Sequence, residues 1–575
     1  MSGEEYKIYL EYMRMKLRIF VLFLWTVALP TMICGQAKYY DYVARQPWLA
    51  TNHTIEGRDW SLPEWVEPAK CSNIVTKLET TDKTFPGNKT VKFNVRWRDV
   101  QPTEGKYNFK SCFDRLHDLK QRGVKHVELH VRGCVWGTYY YKVNKKGDFL
   151  LDKNGEKKIL RFQEGTTPEW LHTEYNIPLK IGPIMEKVDP PFSVVNIDMY
   201  NDLFIEKYCN FIEALGESGL FSHSLVDKAY IQFDSHYTRG EEGNGPDRNS
   251  PDKPKFDRVY RTYAKALGKN VSKCMSVVGW FGDNLPDVLA MGFGQRNGFV
   301  EMYLAQLDNP HFGMSIDDRG YIITDEEYAP IKEKRAWGDE NEEYDPEFLP
   351  RFGPFNSFPH RYRESSLTAL VMRRNSIWDQ NGGVTLDPHL TAFVGLELGR
   401  DVYDAPDAWC ELRESYIKRR SNRQEVAVKN FERWLTQRDD FGAITTATRK
   451  FDHGTKGIAP SKLYATTLIK GKEYDCTARS GKRIGFYVDK RFLDGYKGKM
   501  AIKLTYYDKT DFNICYYTPK GRMTYHVEGT GSDKEMTVTL IVEDMVKAPQ
   551  EGFDLWAESS EGVELSMARV VKCNK

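Results

Sequence analysis

Several signatures of familiar chemistry are missing from this sequence of 575 residues. It has no Gly-rich phosphate loop, no dinucleotide fingerprint in a βαβ setting, no G-x-S-x-G elbow and no H-E-x-x-H helix. These absences remove nucleotide-dependent, serine-hydrolase and zincin readings. The ten cysteines stand singly, with no C-x-x-C pair and no Cys/His cluster, so no metal site is expected and no cofactor is required. Scattered cysteines in a large domain are more often buried thiols; export permits one or two bridges, whose partners the spacing does not define. Net charge is +1 from 82 basic and 81 acidic residues, which supplies no field to draw in nucleic acid or a membrane surface. Beyond one short N-terminal stretch, no apolar run approaches spanning length.

That N-terminal stretch, 19–29, follows Arg14, Lys16 and Arg18 and precedes Pro30 and small or polar residues. A basic region, an apolar run of about eleven residues and a polar boundary predict a signal peptide within 1–36, cleaved after Gly35 or Gln36. The mature chain is then secreted or periplasmic. A lipid anchor at Cys34 is less favoured because Ile33 is bulky. The three Asn-x-Ser/Thr sequons, at Asn52, Asn88 and Asn270, matter only in a glycosylating host, and the signal style suits a bacterial exporter.

What the chain does contain is a run of βα units. VKFNVRWRDVQPTEGKYNF, Val91 to Phe109, reads as a strand ending in Trp97, Arg98 and Asp99, then a turn through Pro102, Glu104 and Gly105. A helix with Phe113, Leu116 and Leu119 follows, and after Gly123 a second strand, His126 to Val131. Further strands are predicted at 228–237, 274–280, 298–303, 333–337 and 372–378, with a helix over 197–217. A long insertion follows the second strand, with a Lys/Gly-rich hairpin-like segment at 141–158 and TPEWL at 167–171, and a third strand is expected within that insertion. Strand–helix alternation on this scale predicts a parallel sheet closed as an α/β (β/α)8 TIM barrel, with the chemistry on loops after the strands. After about residue 455 the runs become short and alternating between Gly/Asp/Lys turns, which predicts an all-β sandwich. The expected division is therefore a barrel over 37–454, including a polar lead-in with RDWSLPEW at 58–65, and a sandwich over 455–575.

Two acidic clusters follow predicted strands: Gly240-Glu241-Glu242-Gly243 after KAYIQFD, and Gly338-Asp339-Glu340 after EKRAW. Glycines let the chain turn sharply and a ligand approach. Cutting a glycosidic bond needs two carboxyl groups facing each other across it, whereas an acidic run is otherwise a solvated loop. Glu241 is preferred to Glu242 because it directly follows Gly240. Around them, Arg98 and Asp99 suit hydroxyl or acidic groups, while Arg96 serves equally well as an internal ion pair. His130 and Arg132 share one strand face, as do Asp234 and His236; a lone strand histidine is often a satisfied core residue. Trp97, at the same strand end as Arg98 and Asp99, is a candidate substrate contact, and Trp136, Tyr139, Trp280, Trp337 and Trp378 are candidate stacking platforms, about half of which should prove to be core. Asn375 is expected to face the cleft.

The W-x-x-(x)-x-P-x-x-G-x-Y-x-F string of residues 97–109 resembles the first strand and loop of the (β/α)8 glycoside hydrolases. The two acidic loops resemble those of the retaining β-galactosidase, β-xylosidase and agarase-like barrels. The resemblance implies catalytic glutamates after strands four and seven: Glu241 as general acid/base, its pKa raised by the charge of Glu340, and Glu340 as nucleophile. It implies a carbohydrate substrate. A non-catalytic glycan-binding barrel and a polysaccharide lyase are the rival expectations, the lyase being disfavoured by the lack of a Tyr/His or Lys/Arg base constellation.

Overall fold

The computed structural model describes residues 53–574 except 71, 77–88, 135–138, 145–147, 162–164, 186–191, 234–244, 277–283, 300–305, 309–311, 327, 329–333, 342–357, 380–386, 419–423 and 453–473. Eight parallel strands close a barrel. In chain order they are Asn73–Thr76, Lys89–Arg96, His126–Arg132, Val226–Gln232, Cys274–Ser276, Gly294–Phe299, Trp337–Asn341 and Ser376–Asp379. The last pairs with the first, Ile377 against Ile74.

The predicted barrel is present, but its strands are counted differently. The strand at the head of the hydrolase-like string is the second, because Asn73–Thr76 precedes it and pairs with it. Among the described residues the insertion adds no strand to the barrel. That segment instead forms a separate four-stranded antiparallel sheet over Tyr139–Lys142, Ile159–Arg161, Leu179–Met185 and Phe192–Ile197. The two differences cancel, so strands four and seven keep their numbers.

Helices on the outer wall follow from amphipathic spacing. Asp202–Glu217 is capped by the Asn201 side chain, which accepts from the backbone N–H of Leu203 and Phe204. It buries Phe204, Ile205, Tyr208, Cys209, Phe211, Ile212 and Leu215 along one stripe. Each large apolar side chain so buried contributes about 1.5–3 kcal/mol. The helix packs so closely on Lys253–Leu267 that a Cβ at Gly216 would lie 2.8 Å from the Ala266 methyl. Between strands six and seven the described residues hold a β-hairpin, Met314–Ile316 with Ile322–Thr324.

The second architecture is antiparallel and begins earlier than the change of sequence texture implied. Asp407–Lys418 pairs with Leu555–Lys572 and with Tyr474–Val488, so the sheet starts at Asp407 rather than near 455. Those two long strands each take part in two layers, which enclose a core of residues such as Ile484, Phe486, Ile502, Leu504, Leu540, Leu555 and Val570. The lead-in belongs here too: His53–Glu56 pairs with Glu535–Glu543, Arg58 bonds Glu411 and Glu535, and Asp59 bonds Lys503 at 2.5 Å. Trp409, Val428 and Phe431 of this sheet join the apolar cluster of the barrel. The barrel core therefore extends onto this sheet, while the interior of the sandwich forms a cluster of its own.

Beside that core runs a buried ionic seam. Arg413 bonds Glu364 at 2.6 Å and Asp475 at 2.9 Å, and His360 contacts Asp475 at 2.9 Å. Glu364 and His360 lie on the barrel helix Phe358–Val371, Arg413 and Asp475 on the sandwich strands. The eight described cysteines are all buried. Among the described residues, no helix is long and apolar enough to cross a membrane.

Candidate functional site

Strand alternation brings a polar set into the barrel. On the second strand Val91, Phe93 and Val95 are buried apolar positions, while the intervening Lys92 sits 3.8 Å from the Trp378 ring centroid. On the third strand Val127, Leu129 and Val131 alternate with Glu128, His130 and Arg132. On the fourth, Lys228, Tyr230 and Gln232 share the inner face, Gln232 donating to the Tyr230 hydroxyl at 2.9 Å. A two-residue period makes this separation automatic once one member points inward.

Trp378 of the eighth strand is the hub. Its Nε1 donates to Glu128 Oε1 at 2.9 Å. Its ring stacks on His130 at 4.6 Å and 30°, and Arg296 of the sixth strand lies 4.3 Å from its centroid. Arg296 also donates to the Tyr230 hydroxyl at 3.0 Å. Glu128 accepts from Ser376 Oγ at 3.3 Å and lies 2.8 Å from His130 Nε2.

Burial decides the protonation of this pair. His130 is held well below its ordinary value, first by burial and then by the charges of Lys92, Arg132 and Arg296. Its Nδ1 is buried without a hydrogen-bond partner among the described groups, so a second ring proton would be unsatisfied. The neutral ring donates Nε2–H to Glu128. Burial raises the Glu128 carboxyl, against the Trp378 hydrogen bond and the charges of Lys228, Arg296 and Lys92.

Of the predicted acids, Glu340 lies within the seventh strand, which begins at Trp337 where the sequence reading ended it. Position 340 is paired in register with Trp378 on one side and Phe299 on the other. It shares a strand face with Gly338, where a Cβ would meet Met275 Sδ at 2.7 Å and Ser376 Cβ at 3.3 Å. That face is the inner one, and position 340 is near the C-terminal end. Glu241, Glu242, Asp234, His236, Trp136 and Trp280 lie outside the described residues.

Other predicted ligands sit elsewhere. Trp97 is fully buried among Trp170, Phe204, Tyr208 and Phe211, with Nε1 donating to Gln101 Oε1 at 2.7 Å; it is core, not a substrate contact. Arg98 is buried, its N–H bonded to the Thr166 carbonyl. Asp99 is half-exposed and paired with Arg96 at 2.5 Å. Arg96 and Asp99 border a cavity of about 330 Å³ along the second strand, lined also by Lys92, Asn94, Ser111 and Arg115. Trp337 faces outward against Tyr328 and Arg374, as does Asp339, which is ion-paired with Arg374.

Asn375 does not face the cleft. It precedes the eighth strand, at the opposite end of the barrel from the loops. There its amide donates to the Arg335 carbonyl at 2.6 Å and accepts from the Trp337 N–H at 2.9 Å and Lys228 Nζ at 2.8 Å. Glu104 bonds Lys207 at 2.5 Å and the Tyr175 hydroxyl, which holds the loop before the helix. His130 and Arg132 point into the barrel but are buried.

Sequence reasoning overlooked Glu128, Tyr230 and Arg296. The signal was available: strands of a closed parallel barrel are expected to be apolar on both faces, and HVELHVR alternates strictly. An acid in the middle of such a strand marks a polar interior. Among the described residues, no group of His, Cys, Asp and Glu is arranged to hold a metal.

No family model matches the chain, and no curated protein does. Solved structures with a similar arrangement include endo-glycoceramidase II from Rhodococcus sp., 10% identical over 84% of this chain and 99% of that one, with a TM-score of 0.32. An exo-β-1,4-mannosidase from an Opitutaceae bacterium is 13% identical over 54% of this chain, TM-score 0.28, and the match spans about half (49%) of its length. A GH5_18 protein from Streptomyces cattleya, in complex with GlcNAc, is 11% identical over 54% of this chain and 70% of that one, TM-score 0.29.

Proposed function

We propose that the chain is a glycoside hydrolase acting at the C-terminal mouth of its barrel, with Glu340 as nucleophile and Glu241 as general acid/base. The observation that carries this reading is the register of position 340: inner face, end of the seventh strand, level with Trp378. The fourth strand, Val226–Gln232, ends at the same mouth and leads into the segment bearing Glu241. Two carboxyl groups brought to one opening from these strands meet the requirement of glycosidic cleavage. Trp378, the register neighbour of position 340, is buried and packs the barrel interior below the mouth.

In the first step Glu340 attacks the anomeric carbon while Glu241 gives its proton to the departing oxygen, leaving a glycosyl ester. In the second, Glu241 takes a proton from water, whose oxygen displaces Glu340 and restores both groups. The substrate is a poly- or oligosaccharide, and we further propose that the chain is exported, as the N-terminal run implies.

Glu340→Gln tests the reading. It should abolish reducing-sugar release from a polysaccharide panel while glycan retention on an affinity gel persists. A wild type that binds glycans but releases nothing identifies a non-catalytic barrel and overturns it; unsaturated products absorbing in the ultraviolet identify a lyase.

A further inference from the structure

We infer that Glu128 is a positioning residue that holds the buried Trp378 ring, and through it the strand end that bears position 340; its catalytic consequence rests on the hydrolase reading above. The ring is over-determined by geometry. Trp378 Nε1 donates to Glu128 at 2.9 Å, which fixes the ring's rotation about its own axis. His130 stacks on the ring at 4.6 Å and is itself anchored to the same carboxylate oxygen at 2.8 Å. One carboxylate therefore locks both the ring edge and the group packed on the ring face. Ser376, two residues before Trp378 on the same strand, reaches the other oxygen at 3.3 Å. Lys92 and Arg296 lie over the ring at 3.8 Å and 4.3 Å, so the indole cannot tilt without disturbing cations on two further strands.

Glu128 touches no reacting atom. It lies four residues below Arg132, the C-terminal end of the inward row on its strand, and pairs with Lys228 in register. Its influence on a bound sugar passes through Trp378, whose paired neighbour is position 340. A displaced indole would shift position 340 relative to a bound sugar, and a misplacement of about 1 Å costs on the order of 100-fold in rate.

Two measurements on the full chain test this. The 15N-labelled indole signal of Trp378, assigned by its loss in Trp378→Phe, should sit downfield in the wild type and move upfield in Glu128→Leu. Glu128→Gln, which keeps one acceptor, should fall between, and it serves if the leucine variant does not fold. In kinetics, Glu128→Gln and Trp378→Phe should each lower kcat/KM about 10- to 100-fold, and the double variant should be no worse than the poorer single. An unmoved indole signal in both Glu128 variants, or singles whose effects multiply, overturns the inference. A wild type without glycan turnover defeats the hydrolase reading alone; the indole signal then decides by itself whether Glu128 holds Trp378.

Discussion

Trp378 and Glu340 are paired in register on adjacent parallel strands of the barrel. Side chains at paired positions of parallel strands share a face, and Trp378 is tied to the inner groups Glu128 and His130. The relation places position 340 at the mouth through backbone pairing alone.

The two adjacent acids at 241 and 242 should behave differently. Glu241→Gln is expected to lose most activity on natural glycans yet retain kcat/KM on aryl glycosides with a good leaving group, whose departure needs no proton, while kcat falls because the second step lacks its base. Glu242→Gln should stay near wild type on both. Comparing rates on the two substrate types assigns the acid; a reversed pattern moves the role to Glu242.

Trp97→Ala should destabilise the fold by about 3–5 kcal/mol, the cost of removing a fully buried tryptophan. The KM of the fraction that stays folded should not change, because the ring packs on Trp170, Phe204, Tyr208 and Phe211 rather than at the mouth. Urea unfolding beside initial-rate kinetics checks both; a raised KM with unchanged stability would restore Trp97 as a substrate contact.

The ionic seam between barrel and sandwich should be costly to break on one side only. Arg413→Met leaves the Glu364 and Asp475 carboxylates buried without the guanidinium that bonds both, and a loss of about 3–5 kcal/mol is expected. Denaturant midpoints measure it. A variant as stable as the wild type would mean that water or His360 replaces the arginine.

Glu397 predicts a pH dependence of stability. It is buried, and its carboxyl is pushed up to about 8 by burial and the Asp407 charge, which outweigh Arg433, Arg400 and Arg569. Contact with Arg433 at 3.2 Å does not reverse this direction. Between its unfolded value of about 4.3 and about 8, the folded state holds a proton that the unfolded state releases. Stability from this group is full below the unfolded value and falls as pH rises through that window. Glu397→Gln, which cannot ionise, should flatten the decline in melting temperature from about pH 5 to pH 8. An unchanged slope would show that Glu397 is charged in the fold.

Much was legible in the sequence. Alternation over VKFNVR and HVELHVR marked strands, and the stripe from Phe204 to Leu215 marked a helix, because side-chain periodicity is local. The change from βα units to short alternating runs announced two architectures. Asn73–Thr76 was not legible: a strand of four residues carries no periodic signal and is defined by its neighbours. The sheet start at Asp407 was hidden because its partners, Leu555–Lys572 and Tyr474–Val488, lie far along the chain.

The sequence by itself determined which residues share a face, and so that Glu128 goes with His130 and Gly338 with Glu340. Only the tertiary structure decided which face is inside. Closure of the barrel turned Glu128, Tyr230, Arg296 and Trp378 toward one another, sent Trp97 and Trp337 into the outer core, and put Asn375 at the far end from the mouth. Periodicity is a property of one strand, whereas inside and outside exist only once the eighth strand pairs with the first.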